Sequence, residues 1–200
     1  MTTPVGTSQG YTATPAARGA AELCAVADIS DEALAVLGDG SIGVRTFIAR
    51  LQEEQLFGDA VRVLAHALPR REAVWWAWVC ARKASGDTPE PAIKAALEAT
   101  ERWIVQPTEE HRRDAMTFGE SADFGTPAGC SALAAFMTGG SLSPPHAPVV
   151  PPGEFMTAKA VAGSVTMAAV IEKPEQAPAK FKEFIGLGLE VADRIKLWPS

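Results

Sequence analysis

Three histidines are the side chains in this sequence best suited to acid–base chemistry near neutral pH. His66, His111 and His146 stand in unrelated contexts, and none has an obvious catalytic partner. His111, which follows Glu110, is the only one worth testing. The two residues form a weak acid–base candidate, and we predict no catalytic residues with a defined role.

The sequence around His111 lacks the spacing of a metal site. A di-iron bundle needs Glu-x-x-His on two helices and a zinc protease needs His-Glu-x-x-His, and neither pattern occurs. Nucleophile elbows, phosphate-binding loops and dinucleotide fingerprints are also missing from the sequence. The cysteines Cys24, Cys80 and Cys130 lie about fifty residues apart without a C-x-x-C pair. We therefore expect no metal, no cofactor, three buried thiols and a solvated helix start over residues 109–114.

The most unusual segment of the chain places tryptophan at positions 75, 76 and 78. On a helix, Trp75 and Trp78 share a face with Val79, whereas Trp76 points about 100° away. One interpretation is structural, with a helix that is apolar on more than half of its circumference at the centre of the fold. The other is that one ring, with Trp76 the best placed, reaches the surface as an anchor for a partner protein, because tryptophan and arginine are enriched at interface hot spots.

Basic residues flank the tryptophans on both sides. Arginine beside tryptophan can form a cation–π pair or bind a carboxylate, although the intervening Glu72 can instead neutralise the nearer arginines. The predicted partner-binding residues are Arg70, Arg71, Trp75, Trp76, Trp78 and Arg82.

Helices must position these side chains, because apolar residues recur at three- and four-residue steps along most of the chain. Pro69 and Gly86 fit the first turn and the left-handed cap of the tryptophan helix. Thr88-Pro89 and Thr126-Pro127 each predict a helix start. No segment competes as a strand. The pattern predicts an all-α fold of about eight to nine short helices, arranged as an irregular bundle or as stacked helical hairpins.

The chain reads as one helical domain, residues 16–200, preceded by a flexible tail, residues 1–15. A HEAT- or TPR-like solenoid is the second choice, since no repeat period is visible. Gly186 and Gly188 inside the last helix predict a close approach between helices. The longest loop, 141–152, holds five prolines that prevent regular structure. Such a loop can connect two helices, fold over the tryptophan helix as a strap, or dock on an aromatic groove through its P-x-x-P spacing.

Composition and charge exclude several classes of partner. Hydrophobic residues make up 47% of the chain and charged residues 21%, as in ordinary globular proteins. The net charge of −6 argues against nucleic acid and against an anionic membrane surface, because both require a concentrated basic face. The apolar run 155–171 contains Lys159, Gly163 and Ser164, which is typical of a buried helix rather than a membrane span. No signal-peptide pattern opens the sequence, so we expect a cytoplasmic protein.

The segment LPRREAVWWA, residues 68–77, together with Gly140-Ser141-Leu142 and the proline-rich loop, resembles a family of uncharacterised small helical proteins of Gram-negative bacteria encoded near type VI secretion loci. The resemblance covers residues 20–198. It implies a shared helical fold and, by association, an accessory or adaptor role beside a contractile secretion machine. It offers no catalytic residues to transfer.

Three functional hypotheses follow. The leading one is a non-enzymatic adaptor that binds another protein, such as a secretion-system component, through the face around Trp76, Arg70 and Arg71. The second is a small-molecule-binding or enzymatic domain with a pocket near the tryptophan helix, closed by the proline-rich loop, with His111 and Glu110 as acid–base candidates. The third is a homo-oligomer joined through its long carboxy-terminal helices.

Overall fold

The computed structural model describes residues 18–198, which fold into α-helices with no strand among them. The expected all-α fold is confirmed, and nine of its ten α-helices have seven residues or more. The predicted tail, residues 1–15, lies outside the described residues. The helices are α1 (Ala20–Cys24), α2 (Asp31–Leu37), α3 (Val44–Glu53), α4 (Phe57–Ala67), α5 (Arg70–Ala84), α6 (Pro91–Val105), α7 (Glu109–Ser121), α8 (Pro127–Phe136), α9 (Met156–Val170) and α10 (Ala177–Arg194). Short turns join most of the helices, and the long proline-rich segment joins α8 to α9. A single 3₁₀ turn, Pro174–Gln176, joins α9 to α10.

Local capping chemistry sets several helix ends. Thr126 caps α8 as predicted, since its side chain accepts a hydrogen bond of 3.0 Å from the backbone N–H of Gly129. Gly86 follows α5 in the left-handed region, with φ of +67°. The start predicted at Thr88-Pro89 is wrong, because α6 begins at Pro91. A proline forces the residue before it out of the helical region, so a helix that began at Pro89 would break at Glu90.

Helices α5 and α9 lie at the centre of the fold. Helices α6, α7 and α8 pack on one side, whereas α4 and α10 pack on the other. Helices α1 and α3 lie against α4, and α2 packs on α1 and α3. Helix α9 contacts α4, α5, α8 and α10, which are far apart in the chain, so the arrangement is an irregular bundle rather than a solenoid whose repeats touch only their neighbours.

Helix α9 is the buried helix that the sequence predicts. Its two buried hydroxyl groups have backbone partners: Ser164 Oγ donates to Pro127 O at 2.8 Å, and Thr157 Oγ1 donates to Met137 O at 2.8 Å. These bonds let two hydroxyl groups lie in an apolar interior without loss of hydrogen bonding. None of the helices between residues 18 and 198 is long and apolar enough to cross a membrane.

Helix α10 crosses α4 and α5 at a glycine. A Cβ atom at Gly188 would lie 2.6 Å from Leu64 Cδ2 and 2.8 Å from Trp76 Cε2, both on fully buried side chains. The predicted close approach is therefore confirmed at Gly188. A Cβ atom at Gly186 would meet nothing within 4 Å.

The two glycines make a matched pair for a stability test. Gly188→Ala should destabilise the protein by about 1–3 kcal/mol, because the added methyl group forces rigid buried neighbours apart. Gly186→Ala should raise stability by about 0.5–1 kcal/mol, because alanine favours the helix and has open space there. Urea unfolding of both variants checks this, and a neutral or stabilising Gly188→Ala would contradict the tight crossing.

Candidate functional site

The fold directs the three tryptophans of α5 into three different environments. Trp76 is fully buried, and its Nε1 donates a hydrogen bond of 2.7 Å to the backbone oxygen of Phe184 in α10. The hypothesis that Trp76 reaches the surface is therefore wrong. The indole lies at the helix crossing beside Gly188, where the fold buries its large apolar ring and satisfies its single donor.

Trp78 faces the opposite neighbour, α6. It is 9% exposed, and its Nε1 donates to Leu97 O at 2.9 Å. The guanidinium carbon of Arg82 lies 5.4 Å from the ring centroid, within cation–π range. Trp78 therefore joins α5 to α6, while Arg82 stays exposed above it.

Trp75 is the most accessible of the three rings. It is partly buried on the outer face of α5, one turn before Val79. The guanidinium carbon of Arg194, in the last turn of α10, lies 5.5 Å from its ring centroid. This pair leaves part of the indole facing a depression between α5 and α10.

That depression is a small pocket of about 160 Å³, which we name the Trp75 pocket. Apolar side chains form most of its wall, and the exposed Glu190 and Arg194 place opposite charges at its opening. The lining residues are Trp75, Trp76, Val79, Leu187, Glu190, Val191 and Arg194.

A wider groove lies on the other side of Val79, and we name it the α5–α6 groove. Its volume is about 1030 Å³, and it contains three basic and three acidic side chains. Lys83 forms an ion pair of 2.9 Å with Glu183 of α10, and Lys94 lies 3.8 Å from Glu98. The lining residues are Trp78, Val79, Arg82, Lys83, Gly86, Asp87, Thr88, Pro89, Lys94, Leu97, Glu98 and Glu101.

Arg70 and Arg71 have partners inside the fold. Arg70 Nη1 donates to Thr138 O at 2.7 Å, just beyond the end of α8, and Arg71 Nε donates to Ile104 O at 2.7 Å in the last turn of α6. Guanidinium groups at these positions donate hydrogen bonds to the unpaired carbonyl groups at helix ends, and their positive charge is stabilised by the negative end of the helix dipole. Of the predicted surface, the tryptophans and Arg82 line the Trp75 pocket or the α5–α6 groove, whereas Arg70 and Arg71 line neither.

The structure does not bring the acid–base candidates together. His111 Nδ1 lies 2.8 Å from Gln106 O, and His66 Nδ1 lies 2.8 Å from Arg62 O. Because a carbonyl oxygen only accepts, each Nδ1 carries the proton. His111 is therefore bonded to a backbone oxygen rather than to Glu110. His66 is partly buried, and burial is the main cause that lowers its pKa.

The three thiols are buried and free, as predicted. Burial raises the pKa of Cys130 to about 11 and raises those of Cys24 and Cys80 as well. Thiols with raised pKa values are poor nucleophiles at neutral pH because little thiolate forms. Within residues 18–198, no group of three or more histidine, cysteine or acidic side chains is arranged to hold a metal ion.

Sequence reasoning missed Arg112, which is completely buried. Its Nε and Nη2 donate to the two carboxylate oxygens of Glu109 at 2.6 and 2.8 Å, and its Nη1 donates to Phe136 O at 2.6 Å. The Phe136 ring lies 4.3 Å from its guanidinium carbon. The expected solvated helix start over residues 109–114 is therefore wrong at this residue.

The buried guanidinium also holds the proline-rich loop. Arg112 Nη2 donates to Ser141 O at 2.9 Å, and the neighbouring Arg113 Nη2 donates to Ser143 O at 3.1 Å. Neither the Trp75 pocket nor the α5–α6 groove is lined by any residue of 141–152. The loop is tied to α7 and does not cover the tryptophans. The strap that the sequence left open is therefore not formed.

A sequence comparison identifies the chain's relatives. The model of a family of unknown function, DUF6931, matches residues 47–192. The chain belongs to this family. The DUF6931 match includes the tryptophan helix, the proline-rich loop and every lining residue of the Trp75 pocket except Arg194. Helices α1 and α2 lie outside the matched residues. No curated protein and no solved structure matches the chain.

The buried and the exposed tryptophan should respond differently to the same substitution. Trp76→Phe should cost about 1–3 kcal/mol, because it removes the bond to Phe184 O and leaves a cavity. Trp75→Phe should stay within about 1 kcal/mol of wild type, since the ring lies at the surface. Chemical denaturation of the two variants measures the difference, and equal losses would contradict these environments.

The Glu109–Arg112 contact should make stability depend on pH. The hydrogen bond from Arg112 is the main cause that holds the pKa of Glu109 below its ordinary value. A carboxylate with a lowered folded-state pKa stabilises the fold above the unfolded-state pKa of about 4.3, and that stabilisation is lost as the pH falls through the folded-state pKa.

We therefore expect Glu109→Gln to destabilise the protein at pH 7 and to lose this effect in acid. Urea unfolding across the pH range measures the difference from wild type. Glu110→Gln, on the exposed part of the same turn, is the control and should stay within about 0.5 kcal/mol at neutral pH. A Glu109→Gln effect of equal size at low and neutral pH would count against the ion pair.

Proposed function

We propose that this protein is a non-enzymatic interaction module that binds another protein through the Trp75 pocket. The observation that carries the proposal is the pocket itself, an apolar depression beside a partly exposed tryptophan with one basic and one acidic side chain at its opening. Hot spots of protein interfaces combine these features, because a desolvated aromatic contact supplies affinity and charges at the edge supply orientation.

The volume of the pocket favours a side chain over a metabolite. Small-molecule sites usually occupy roughly 300–1,000 Å³, whereas a cavity on the order of 150 Å³ accommodates one benzene-sized group. At about 160 Å³, the Trp75 pocket has room for a single aliphatic or aromatic side chain. A partner would insert one such residue and cover the indole.

The buried tryptophans support this role indirectly. Trp76 donates a hydrogen bond to Phe184 O, so the two helices that line the pocket, α5 and α10, are fixed against each other, and Trp78 in the same way ties α5 to α6. A pocket between fixed helices loses little conformational entropy when a partner binds. This rigidity is a general property of sites that recognise an anchor residue.

We further propose that the partner is a component of a type VI secretion system, so that the protein acts as an accessory or adaptor. The support is the resemblance of residues 68–77 and 140–142 to helical proteins encoded near such loci. The family match supports membership alone and names no partner.

The α5–α6 groove supports a second candidate function, the binding of a small molecule. Its volume of about 1030 Å³ is sufficient for a metabolite, and Trp78 and Leu97 provide an apolar wall below charged side chains of both signs. A thermal-shift screen tests this, with Lys94→Ala as the groove variant. Stabilisation by a metabolite that the variant loses would favour this function.

The interaction proposal predicts selective loss of binding in one variant. Tagged wild type, Trp75→Ala and Val105→Ala would be tested against purified components of a contractile secretion apparatus by isothermal titration calorimetry. Val105 is 71% exposed at the end of α6 and lines neither pocket nor groove, so it is the matched control. Trp75→Ala should weaken binding at least about tenfold, as expected for a hot-spot residue.

Equal binding by all three proteins would contradict a role for the Trp75 pocket. Binding of a different protein, lost only in Trp75→Ala, would keep the interaction module and reject the secretion link. Circular dichroism of Trp75→Ala would verify that the variant remains folded.

A further inference from the structure

Another cavity lies between α4 and α9, and we name it the α4–α9 pocket. Its volume is about 390 Å³. Small-molecule sites usually occupy roughly 300–1,000 Å³. Arg62 and His66 stand one turn apart on α4, and Lys159 and Thr166 stand two turns apart on α9. Each helix therefore presents one face with polar side chains to the cavity.

His66 brings an incomplete set of hydrogen bonds to this pocket. Its Nδ1 donates to Arg62 O at 2.8 Å, whereas its Nε2 is buried and has no hydrogen-bond partner among residues 18–198. Buried polar atoms almost always have a partner. Burial is the main cause that lowers the pKa of His66, and the positive charges of Lys159 and Arg18 lower it further. The imidazole at the wall of the pocket is therefore neutral at pH 7, with an unused lone pair.

Two cationic side chains of the pocket have unused donors. Lys159 is exposed and forms no ion pair with any residue that the structure describes. Arg62 donates through Nη1 alone, to Asp28 O at 2.9 Å and to Asp59 Oδ1 at 3.0 Å. Its Nε and Nη2 have no partner among the same residues. Ammonium and guanidinium groups with free N–H donors are the usual protein partners of a carboxylate.

The charges around His66 favour an ion with a single negative charge. Glu154 is paired with Arg18 at 2.9 Å, and Asp59 with Arg62 at 3.0 Å. Among the described residues, four positive and three negative side chains surround the pocket: Arg18, Arg62, Arg70 and Lys159, and Asp28, Asp59 and Glu154. One positive charge remains in excess, and Asp28 at the wall would repel a second negative charge.

Apolar side chains complete the wall of the pocket. Ala27 and Ala162 are buried, and Met167 is partly buried beside them. A hydrocarbon chain placed against these side chains would lose contact with water, which stabilises the complex by about 0.8 kcal/mol for each buried CH₂ group. The pocket therefore combines a cationic end with an apolar surface.

We propose that the α4–α9 pocket binds a small carboxylate ion that carries a hydrocarbon chain. Lys159 and the free donors of Arg62 bind the carboxylate, the chain packs on Ala162 and Met167, and His66 is protonated when the ion is bound. A negative charge favours the protonated form of a nearby imidazole, so the bound ion raises the pKa of His66 above its value in the empty pocket. Binding therefore takes up a proton, and affinity increases as the pH falls from about 8 to about 6.

Isothermal titration calorimetry with hexanoate tests the ligand chemistry. Wild type should bind hexanoate, and more tightly at pH 6 than at pH 8. Hexanol has the same chain without the charge, and acetate has the same charge without the chain. Each should bind at least about tenfold more weakly than hexanoate, because each lacks one of the two interactions.

Three variants locate the site. Lys159→Gln should weaken hexanoate binding at least about tenfold, because it removes the unpaired cation. Lys182→Gln makes the same charge change on the exposed part of α10, outside this pocket, and should bind as wild type. His66→Asn keeps a donor for Arg62 O but cannot titrate, so its affinity should not change between pH 8 and pH 6. Thermal unfolding verifies that each variant is folded, and Lys159 is so exposed that its substitution does not threaten the core.

Hexanoate that does not bind wild type, or that binds the two lysine variants equally, would overturn the proposal. Hexanol that binds as tightly as hexanoate would overturn the carboxylate as the recognised group. A pH dependence that persists in His66→Asn would overturn the role of His66. No residue of α4 or α9 lines the Trp75 pocket or the α5–α6 groove, so these results are independent of the tests of the proposed function.

Discussion

The hydrogen bond from the buried Trp76 indole to Phe184 O fixes α10 against α5, and the Trp75 pocket between these two helices depends on this contact. The two helices can approach so closely because Gly188 has no side chain to separate the ring from α10. The Trp75 pocket lies on the outer side of this crossing. Trp76 is buried in the core, whereas Trp75, one residue earlier on α5, remains partly open to solvent.

A buried arginine organises the region where α7, the end of α8 and the proline-rich loop meet. Arg112 lies in the interior without an uncompensated charge because Glu109 and two backbone carbonyls accept its hydrogen bonds. The same guanidinium fixes the end of α8 and the start of the proline-rich loop. The Arg112 guanidinium therefore positions the loop by donating to backbone oxygens, as the Trp76 indole positions α10 by donating to Phe184 O.

The two anchored regions present contrasting surfaces. The pocket beside Trp75 is concave and aromatic, with charges at its opening, whereas the loop is rich in proline, exposes Val149 and Val150, and contains no lysine, arginine, aspartate or glutamate. A buried donor holds each of them: Trp76 Nε1 bonds to α10 beside the pocket, and Arg112 Nη2 bonds to Ser141 O at the start of the loop.

The sequence by itself determined the helical class, the buried cysteines, the cap at Thr126 and a close approach at the Gly186–Gly188 pair, because these depend on periodicity, side-chain size and local hydrogen bonds. The packing of α10 decided that Gly188, and not Gly186, makes the approach. Only the tertiary structure decided which tryptophan is exposed. Three indoles within four positions exceed any single face of a helix, so their burial depends on where α6 and α10 pack. The burial of Arg112 could not be predicted either. Glu109 and Arg112 are three residues apart, and this spacing is the same for an ion pair on a helix surface and for one inside the fold. Burial is a property of the neighbouring helices, and a local pattern does not encode it.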